Sequence, residues 1–264
     1  MPSHDSIEPR LDSPSGTTRV ALVTGASRGI GAAVARELAD EGLHVLVNYR
    51  EKAKRAQGIV EDIRRAGWQA STAGADISDG AAARTLIATI ARQFGQLDVL
   101  ILNASGGLER GADADYAMRL NRDAQVRLVE LAAPLMPVGG RIVFVTSHQA
   151  HFHPQNPVPE GYEEIARSKR AGEDALLAMR SELARQGIEL RVVSGDMIDG
   201  TIIVRLLHRR DPRAVETRRT YGPLPTVIEF AAAITRAAVS AQHPSTTFVG
   251  GEDLYDEAHS YSSE

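Results

Sequence analysis

The residues best suited to chemistry form a glycine-rich turn, Thr24-Gly25-Ala26-Ser27-Arg28-Gly29-Ile30-Gly31. Its three glycines permit a tight backbone turn and the close approach of a phosphate group. A helix that begins here would offer its unpaired N–H groups and positive dipole end to the same anion. Because the turn follows a predicted strand and opens a predicted helix, we expect it to bind the pyrophosphate of a dinucleotide. A glycine-rich turn without a ligand is the alternative.

Three histidines form a second candidate group: His148, His151 and His153. An imidazole titrates near neutral pH and can act as a general acid. The H-x-x-H-x-H spacing also raises a metal site, but no clear carboxylate ligand accompanies it, and we expect no metal. Histidines that only line a cleft or are satisfied within a loop are the alternative.

The composition is that of an ordinary globular protein. The 264 residues carry a formal net charge of −4, which gives no reason to expect nucleic acid or a membrane as a partner. There is no cysteine, so disulfides and a cysteine nucleophile are excluded. No run of 18 apolar residues occurs, and we expect a cytoplasmic protein. Residues 1–18, rich in Pro and Ser, are predicted to be a disordered leader, and residues 19–264 a single domain.

Short apolar runs alternate with longer segments of helical periodicity. The predicted strands are Val20–Thr24, His44–Asn48, Gln69–Ala73, Val99–Asn103, Arg141–Thr146, Glu189–Ser194 and Thr246–Gly250. The predicted helices are Ile30–Glu41, Lys52–Ala66, Asp79–Phe94, Ala114–Met136, Glu160–Gln186 and Thr226–Ser240. Asp79 is expected to cap its helix, and Gly42, Gly67, Gly95 and Gly187 to end theirs. Continuous apolar strands indicate an α/β fold with a Rossmann-type, doubly wound, seven-stranded parallel sheet flanked by helices.

The T-G-x-x-x-G-I-G spacing of the turn resembles that of the short-chain dehydrogenase/reductase family. Further matching pieces follow in the family's order, and the resemblance covers roughly residues 19 to 254. It implies that Asp76 and Ile77 contact the adenine, that Asn103, Ala104 and Ser105 lie along the cofactor, and that the loop containing Gly195 and Ile198 meets the nicotinamide. With the turn residues Gly25, Ser27, Arg28, Gly29, Ile30 and Gly31, these residues form the expected cofactor site.

The resemblance also implies an active site. Ser147 matches the serine that orients the carbonyl, Asn121 the asparagine that supports a water relay, and Lys169 the lysine that bonds the nicotinamide ribose and lowers a tyrosine pKa. The family's tyrosine stands four residues before that lysine, and this chain has Ile165 there. Isoleucine cannot donate a proton, so another group must do so if the protein is a reductase.

Tyr162 is the nearest candidate for the missing proton donor. Seven helical steps turn about 700°, so Tyr162 and Lys169 share a helix face within about 20°, provided that the helix begins by Glu160. If Pro157 and Pro159 delay its start, Tyr162 lies in a loop. A tyrosine that only lines the cleft or caps the helix is the alternative.

The second strand ends in Asn48-Tyr49-Arg50, where a site selective for NAD would carry Asp or Glu. Arg50 and Arg28, with no nearby carboxylate, suit the 2′-phosphate of NADP(H), because arginine binds phosphate through paired hydrogen bonds. Two ordinary surface arginines are the alternative.

Two main functions remain open for this sequence. The first is NADPH-dependent reduction of a ketone or aldehyde on a small-molecule metabolite; the second is a catalytically inactive protein that senses NADP(H). A hydro-lyase or isomerase is a third possibility. Residues Ile202 to Tyr221, with six arginines, are expected to form a lid over the substrate. The resemblance implies a homodimer or homotetramer joined through the two long helices.

Overall fold

Seven parallel strands form one sheet in the order β3-β2-β1-β4-β5-β6-β7. The computed structural model describes residues 18–107, 115–156, 158 and 161–251. Its strands are β1 Val20–Val23, β2 His44–Tyr49, β3 Ala70–Gly74, β4 Val99–Leu102, β5 Arg141–Ser147, β6 Glu189–Gly195 and β7 Thr246–Val249. Every predicted strand ends within one residue of its observed bounds, and the predicted doubly wound Rossmann-type sheet is confirmed.

Helices cover both faces of the sheet. They are α1 Gly29–Asp40, α2 Ala53–Arg65, α3 Gly80–Phe94, α4 Tyr116–Met118, α5 Ala124–Ala132, α6 His148–His151, α7 Glu163–Arg185, α8 Ile202–Arg210, α9 Pro212–Thr220 and α10 Val227–Val239. A π-helical turn, Arg119–Asp123, joins α4 to α5, and a 3-10 turn, Ala133–Leu135, follows α5. None of the helices in the described ranges is both long and apolar enough to cross a membrane.

Alternate residues of the strands pack against opposite helix layers, as two-sided burial of a parallel sheet requires. On one face, Leu100 and Ile142 share a core with residues of α3, α5 and α7. On the other face, Ile101 and Val143 share a core with residues of α1, α2 and α10. The sheet is therefore fixed from both sides, and the carboxyl ends of its strands provide a rigid base for a site.

The predicted helix ends are borne out by their caps. Asp79 Oδ1 accepts hydrogen bonds from the backbone N–H groups of Ala81 (2.7 Å) and Ala82 (3.1 Å) at the start of α3. The glycines expected to end helices all have the positive φ that favours glycine: Gly42, Gly67, Gly95 and Gly187.

The predicted helix Ala114–Met136 is wrong as one continuous helix. The π-helical turn interrupts it, and Gln125 Nε2 of α5 donates to the carbonyl of Leu120 in that turn at 2.9 Å. Pro134 has no N–H to donate and stands in the 3-10 turn that ends the segment. Ala114 lies outside the described residues.

The predicted helix Glu160–Gln186 is wrong at its start, because α7 begins at Glu163. Gly161 has a φ of +72°, a left-handed conformation that no α-helix continues through. Tyr162 is therefore the residue before the helix, while Pro157, Pro159 and Glu160 lie outside the described residues. So do residues 1–17 of the predicted leader.

Helix α7 and the π-helical turn approach each other closely at Gly172. A Cβ on Gly172 would collide with the backbone carbonyl oxygen of Asn121. The absence of a side chain there lets α7 lie directly against the turn. This contact brings the predicted site residues Asn121 and Lys169 onto neighbouring backbone segments.

Candidate active site

A cavity of about 680 Å³ opens at the carboxyl ends of the strands. This is where doubly wound sheets bind their ligands. All the predicted cofactor-site residues line it, together with Ser147, Tyr162 and Lys169: Gly25, Ser27, Arg28, Gly29, Ile30, Gly31, Asn48, Tyr49, Arg50, Asp76, Ile77, Asn103, Ala104, Ser105, Gly195 and Ile198. The fold thus brings residues separated by 173 positions in the chain to one cavity.

The glycine-rich turn has the geometry that its glycines were expected to allow. Gly25 and Gly29 have φ values of +64° and +57°. A Cβ on Gly31 would stand 2.6 Å from Asn103 Nδ2 and 2.8 Å from the carbonyl oxygen of Gly25, whereas the space beside Gly29 is open within 4 Å. Arg28 is the N-cap residue of α1, but its side chain makes no capping hydrogen bond to the start of the helix. An open, side-chain-free cradle at a helix N-terminus fits a phosphate group.

Hydrogen bonds from Thr24 hold the ends of β1 and β4 together beneath this turn. The Thr24 hydroxyl accepts from the backbone N–H groups of Asn103 and Ala104, each at 2.9 Å, and donates to the carbonyl of Ile101 at 3.0 Å. Asn103 Nδ2 donates to the Thr24 carbonyl at 2.9 Å. The two backbone walls of the cavity are therefore fixed relative to each other.

At the end of β2, the side chain of Asn48 forms hydrogen bonds to other parts of the protein. Its Nδ2 donates to the carbonyls of Ala73 (2.9 Å) and Ala75 (3.1 Å), and its Oδ1 accepts from the N–H of Gly25 at 3.2 Å. Asn48 is 2% exposed. Its amide therefore supports the glycine-rich turn from behind.

Arg50 is exposed but is not remote from carboxylates, and that part of the prediction is wrong. Its Nε lies 3.1 Å from Glu51 Oε1, an ion pair in which both side chains are largely exposed. The guanidinium also bonds the Tyr116 hydroxyl and lies over the Tyr116 ring, 5.7 Å from its centroid. The neighbouring carboxylate was visible in the sequence as the next residue. An exposed pair of this kind contributes little to stability, so a phosphate could compete for the guanidinium.

Asp76 and Ile77 form the cavity wall after β3. Asp76 Oδ1 accepts from the backbone N–H of Ser78 at 2.9 Å and from its hydroxyl at 2.7 Å, which shapes the turn that leads into α3. Ile77 is 3% exposed and packs in the core.

The two hydroxyls of Ser147 and Tyr162 converge in the cavity. Ser147 ends β5, and its Oγ lies 3.5 Å from the Tyr162 hydroxyl oxygen. That separation exceeds the roughly 2.5–3.0 Å of a normal O–H···O hydrogen bond. A carbonyl oxygen seated between the two groups could accept a hydrogen bond from each, since it has two lone pairs. The arrangement is suited to polarising a carbonyl.

Tyr162 reaches Ser147 from outside the helix, so the expected shared helix face does not apply. It is 4% exposed, and this burial raises the pKa of its hydroxyl, against the opposing effect of the nearby Ser147 hydroxyl. Among the groups that the structure describes, Ser147 is the one that lowers the pKa of Tyr162. The hydroxyl is therefore protonated at neutral pH, without the electrostatic help that the family's lysine gives its tyrosine.

Lys169 is buried at 9% exposure and lines the cavity one turn and a half into α7. Burial lowers the pKa of Lys169 to about 8, although the carboxylate of Glu173 acts to raise it. At neutral pH the ammonium form still predominates. A charged amine is thus held against the cavity in a setting of low dielectric constant.

Asn121 lies behind the cavity wall instead of on it. Its Nδ2 donates to the carbonyl of Gly106 and to Ser168 Oγ, each at 2.9 Å, and its Oδ1 accepts from the N–H of Gly106 at 3.2 Å. Ser168 Oγ in turn donates to the carbonyl of Ile165 at 2.9 Å. The amide ties the segment after β4 to α7.

The contacts of the histidines do not support a role for them as the proton donor at the cavity. His148 is fully buried, with Nδ1 2.8 Å from Ser194 Oγ and Nε2 2.6 Å from the carbonyl oxygen of Gly250. Burial lowers the pKa of His148 to about 4, so it is neutral and Nε2 donates to Gly250. His151 Nδ1 bonds Glu173 Oε1. In the described part of the chain no cluster of three His, Asp or Glu side chains is arranged to hold a metal ion.

Several cavity residues were not predicted from the sequence, among them a glutamine, a tyrosine and an aspartate. Gln149 and Tyr116 line the cavity, and no motif marks either of them. Asp196, also on the wall, falls in the loop after β6 that was singled out for its backbone. A polar residue beside Gly195 in that loop was the available signal.

The segment predicted as a lid forms helices α8 and α9 above the cavity. Val204, Leu207 and Val215 pack with Tyr162 and Ile165 in a buried apolar cluster. Helix α9 is also fastened to the end of β6, because Arg218 Nε donates to the buried carboxylate of Asp196 and Arg218 Nη1 to the carbonyl of Gly222. The arginine-rich segment thus presents apolar side chains to the cavity.

Curated proteins similar to this chain include reductases. Hydroxynaphthalene reductase arp2 of Aspergillus fumigatus is 34% identical over 184 residues, 67% of this chain and 65% of that protein. Versicolorin reductase 1 of Aspergillus parasiticus is 38% identical over 138 residues, 50% of this chain and 53% of that protein. The matched segments therefore span between half and two thirds of these relatives.

Solved structures match over more of their length. The angucycline C-6 ketoreductase LanV with bound NADP has a TM-score of 0.76 at 26% identity, covering 90% of this chain and 97% of that one. A short chain dehydrogenase from Burkholderia cenocepacia in complex with NADP has a TM-score of 0.72 at 29% identity, covering 88% and 96%. The family model for short chain dehydrogenases matches residues 19–210. The chain belongs to the short-chain dehydrogenase family.

Proposed function

We propose that this protein reduces a ketone or aldehyde group on a small-molecule metabolite with NADPH, and that Tyr162 donates the proton in place of the family's tyrosine. The observation that carries the proposal is the 3.5 Å approach of the Tyr162 and Ser147 hydroxyls in the cavity that also contains the glycine-rich turn and Lys169. The named reductases and ketoreductases among its relatives support the same reaction.

The residues of the cavity fit a nicotinamide dinucleotide. The open cradle at Gly29 and the uncapped start of α1 suit the pyrophosphate. Arg28 and Arg50, both exposed at the rim, suit a 2′-phosphate. The NADP bound by the two structural relatives supports that choice. When bound, the reduced nicotinamide supplies the hydride.

The protein's own groups then act on the carbonyl oxygen. Ser147 and Tyr162 both donate hydrogen bonds to it, which orients the substrate and stabilises the negative charge that develops there. The Tyr162 hydroxyl carries the proton that the alkoxide needs. Lys169, in its ammonium form, adds a positive charge to the same cavity and is expected to bond the nicotinamide ribose.

The apolar lid side chains indicate the kind of substrate. Leu206, Leu207, Val204 and Met197 line the cavity beside the two hydroxyls. A carbonyl carried on an apolar or aromatic body would bury its surface against them and present only its oxygen to polar groups. We therefore propose a hydrophobic ketone over a sugar or an anionic metabolite.

The test is NADPH consumption by purified protein over a panel of aromatic and aliphatic ketones, followed at 340 nm. We expect turnover with at least one apolar ketone, and a loss of about 10²-fold or more in kcat for both Ser147→Ala and Lys169→Ala. NADH should support less turnover than NADPH. Turnover that is unchanged in both variants would refute the assigned site.

An inactive NADP(H) sensor is the second candidate, and Ile165 at the family's tyrosine position is the observation that favours it. Calorimetry separates the two functions: tight NADPH binding with no turnover on any carbonyl supports the sensor. Product formation without a net change in NADPH would instead indicate a hydro-lyase or isomerase. We also propose a homodimer or homotetramer, which light scattering tests, and a cytoplasmic location.

A further inference from the structure

A buried carboxylate lies about one helical turn after Lys169 on α7. Glu173 is 0% exposed and follows Lys169 by four residues on α7, so both side chains lie on one helix face. Its Oε1 accepts a hydrogen bond from His151 Nδ1 at 2.6 Å. Its Oε2 is buried and has no hydrogen-bond partner among the described residues.

A buried carboxylate in this position must be stabilised by its surroundings. Removing an ionised carboxylate from water is costly unless charge and hydrogen bonds compensate for the lost hydration. One hydrogen bond from His151 satisfies half of the group. The nearby charge of opposite sign is Lys169, whose pKa Glu173 acts to raise.

The other ionisable groups in this region are accounted for. Arg170 donates to the backbone carbonyl of His151 and pairs with the exposed Asp174 at 2.7 Å. His148, the other histidine of α6, is neutral and bonded to Ser194 and Gly250. Across β6, the carboxylate of Asp196 is paired with Arg218. Tyr162 faces Ser147.

We propose that Glu173, oriented by His151, is a positioning residue that holds Lys169 in its ammonium form at the cavity. The Glu173 carboxylate supplies the charge of opposite sign on the same helix face, and His151 orients it by donating to Oε1. This explains why a lysine can remain charged in a buried site without a tyrosine one turn before it. The proposed charge state of Lys169 does not depend on which reaction the protein catalyses. Only the use of that charge in catalysis rests on the proposed function.

The chain is well suited to a direct test, because it contains only three lysines: Lys52, Lys54 and Lys169. Protein labelled with ¹³C at lysine Cε gives three signals, of which those of the exposed Lys52 and Lys54 serve as internal references. The measurement uses the protein without cofactor or substrate. Lys169→Met assigns the third signal. We expect the Lys169 signal of the unmodified protein to titrate near pH 8.

Glu173→Gln should shift the Lys169 midpoint down by about one pH unit or more, because it removes the opposite charge and little volume. Asp174→Asn is the matched control: it removes a carboxylate from the next position of α7, and the Lys169 midpoint should stay within about 0.3 units, as expected for an exposed charge. An unchanged midpoint in folded Glu173→Gln overturns the proposal.

His151 variants provide a second test of the proposal if Glu173→Gln fails to fold. His151→Leu, which loses the donor, should also lower the Lys169 midpoint, whereas His151→Asn, which can still donate an N–H, should restore it toward that of the unmodified protein. If these substitutions alter resistance to urea while the midpoint stays constant, the His151–Glu173 pair only joins α6 to α7, and the proposal is wrong.

Activity adds a second readout. In an active enzyme, Glu173→Gln should move the alkaline limb of the kcat profile to lower pH by the same shift, with KM for NADPH changed less than threefold. A protein with the expected lysine titration but no turnover would refute the proposed reductase and leave the role of Glu173 intact. Turnover with an unshifted alkaline limb in Glu173→Gln would contradict the positioning role.

Discussion

Ile165 turns one wall of the cavity apolar at the position where the family's tyrosine stands. Its side chain is 4% exposed and shares a buried cluster with Tyr162 and Leu207. A substrate cannot receive a proton from this side chain, but it can bury surface against it. Ser147, Tyr162 and Lys169 supply polar groups to the same cavity.

The first prediction concerns Tyr162. Tyr162→Phe removes one oxygen and should lower kcat by about 10²-fold or more, the usual contribution of a general acid, without weakening NADPH binding. Steady-state kinetics and calorimetry measure the two effects. Tyr221→Phe, which alters a tyrosine that is 66% exposed, should leave kcat unchanged. Full activity in Tyr162→Phe would show that another group supplies the proton.

The second prediction concerns the pH dependence of reduction. The pKa of Lys169 is lowered to about 8, so the ammonium form predominates below that pH and the neutral amine above it. We expect kcat to be level from pH 6.5 to 7.5 and to fall about tenfold per unit well above pH 8, if the ammonium is required. Rates measured after return to pH 7 control for inactivation. A profile that stays flat to pH 9.5 would contradict this assignment.

The family's motifs assigned Ser147 and Lys169 to the active site, and both residues line the cavity. Sequence patterns could not determine how the side chain of Tyr162 enters the cavity. Its direction depends on the left-handed Gly161 and on where α7 begins, and neither is visible in a helical pattern. Asn48 and Asn121 were assigned to the site by position, but the partners that turn their amides inward come from other parts of the chain.

At the level of elements, the β1–α1 unit depends on glycine contacts that leave little space. Gly31 is packed against Asn103 and the carbonyl of Gly25, so the helix can begin only where no side chain intervenes. The apolar runs and end signals of the chain predicted these elements closely. The π-helical turn was not predictable, because Arg119–Asp123 has the same periodicity as an ordinary helix.

The third prediction tests this packing. In Gly31→Ala the new Cβ would stand 2.6–2.8 Å from Asn103 Nδ2 and the Gly25 carbonyl oxygen, so the turn must shift. We expect NADPH binding to weaken by about tenfold or more and the free energy of unfolding to fall by about 1–3 kcal/mol. Calorimetry and urea denaturation measure these changes.

Gly58→Ala is the control for this experiment. Gly58 lies inside α2, and a Cβ there meets no atom within 4 Å. Alanine should stabilise that helix by about 0.5–1 kcal/mol and leave NADPH binding unchanged. Equal effects of the two substitutions on binding would argue against the cradle.

At the level of the whole molecule, His148 joins distant parts of the chain. It bonds Ser194 on β6 and Gly250 after β7, and its ring packs edge-on against Phe248. These contacts fasten the last strand of the sheet to the segment that follows Ser147. They depend on a neutral ring, because the bond to Ser194 uses Nδ1 as an acceptor when Nε2 carries the hydrogen.

The fourth prediction follows from that neutrality. The pKa of His148 falls from 6.5 to about 4 on folding, so the unfolded chain binds the extra proton between these values and stability declines as the pH drops through this interval. This one residue should remove about 2 kcal/mol of unfolding free energy between pH 7.5 and pH 5. Urea denaturation at both pH values measures the loss. His148→Gln, which does not titrate, should reduce it by that amount; an identical loss in both proteins would contradict the assignment.

The contact at Gly172 has a consequence for how the protein can diversify. Because the helix carrying Lys169 and the turn carrying Asn121 touch backbone to backbone there, their spacing has no adjustable side chain between them. Mutational libraries should therefore tolerate variety along the lid, where α8 and α9 can repack, while position 172 admits glycine alone. New substrate preferences would arise from changes in α8 and α9, while the contact between α7 and the turn carrying Asn121 stays the same.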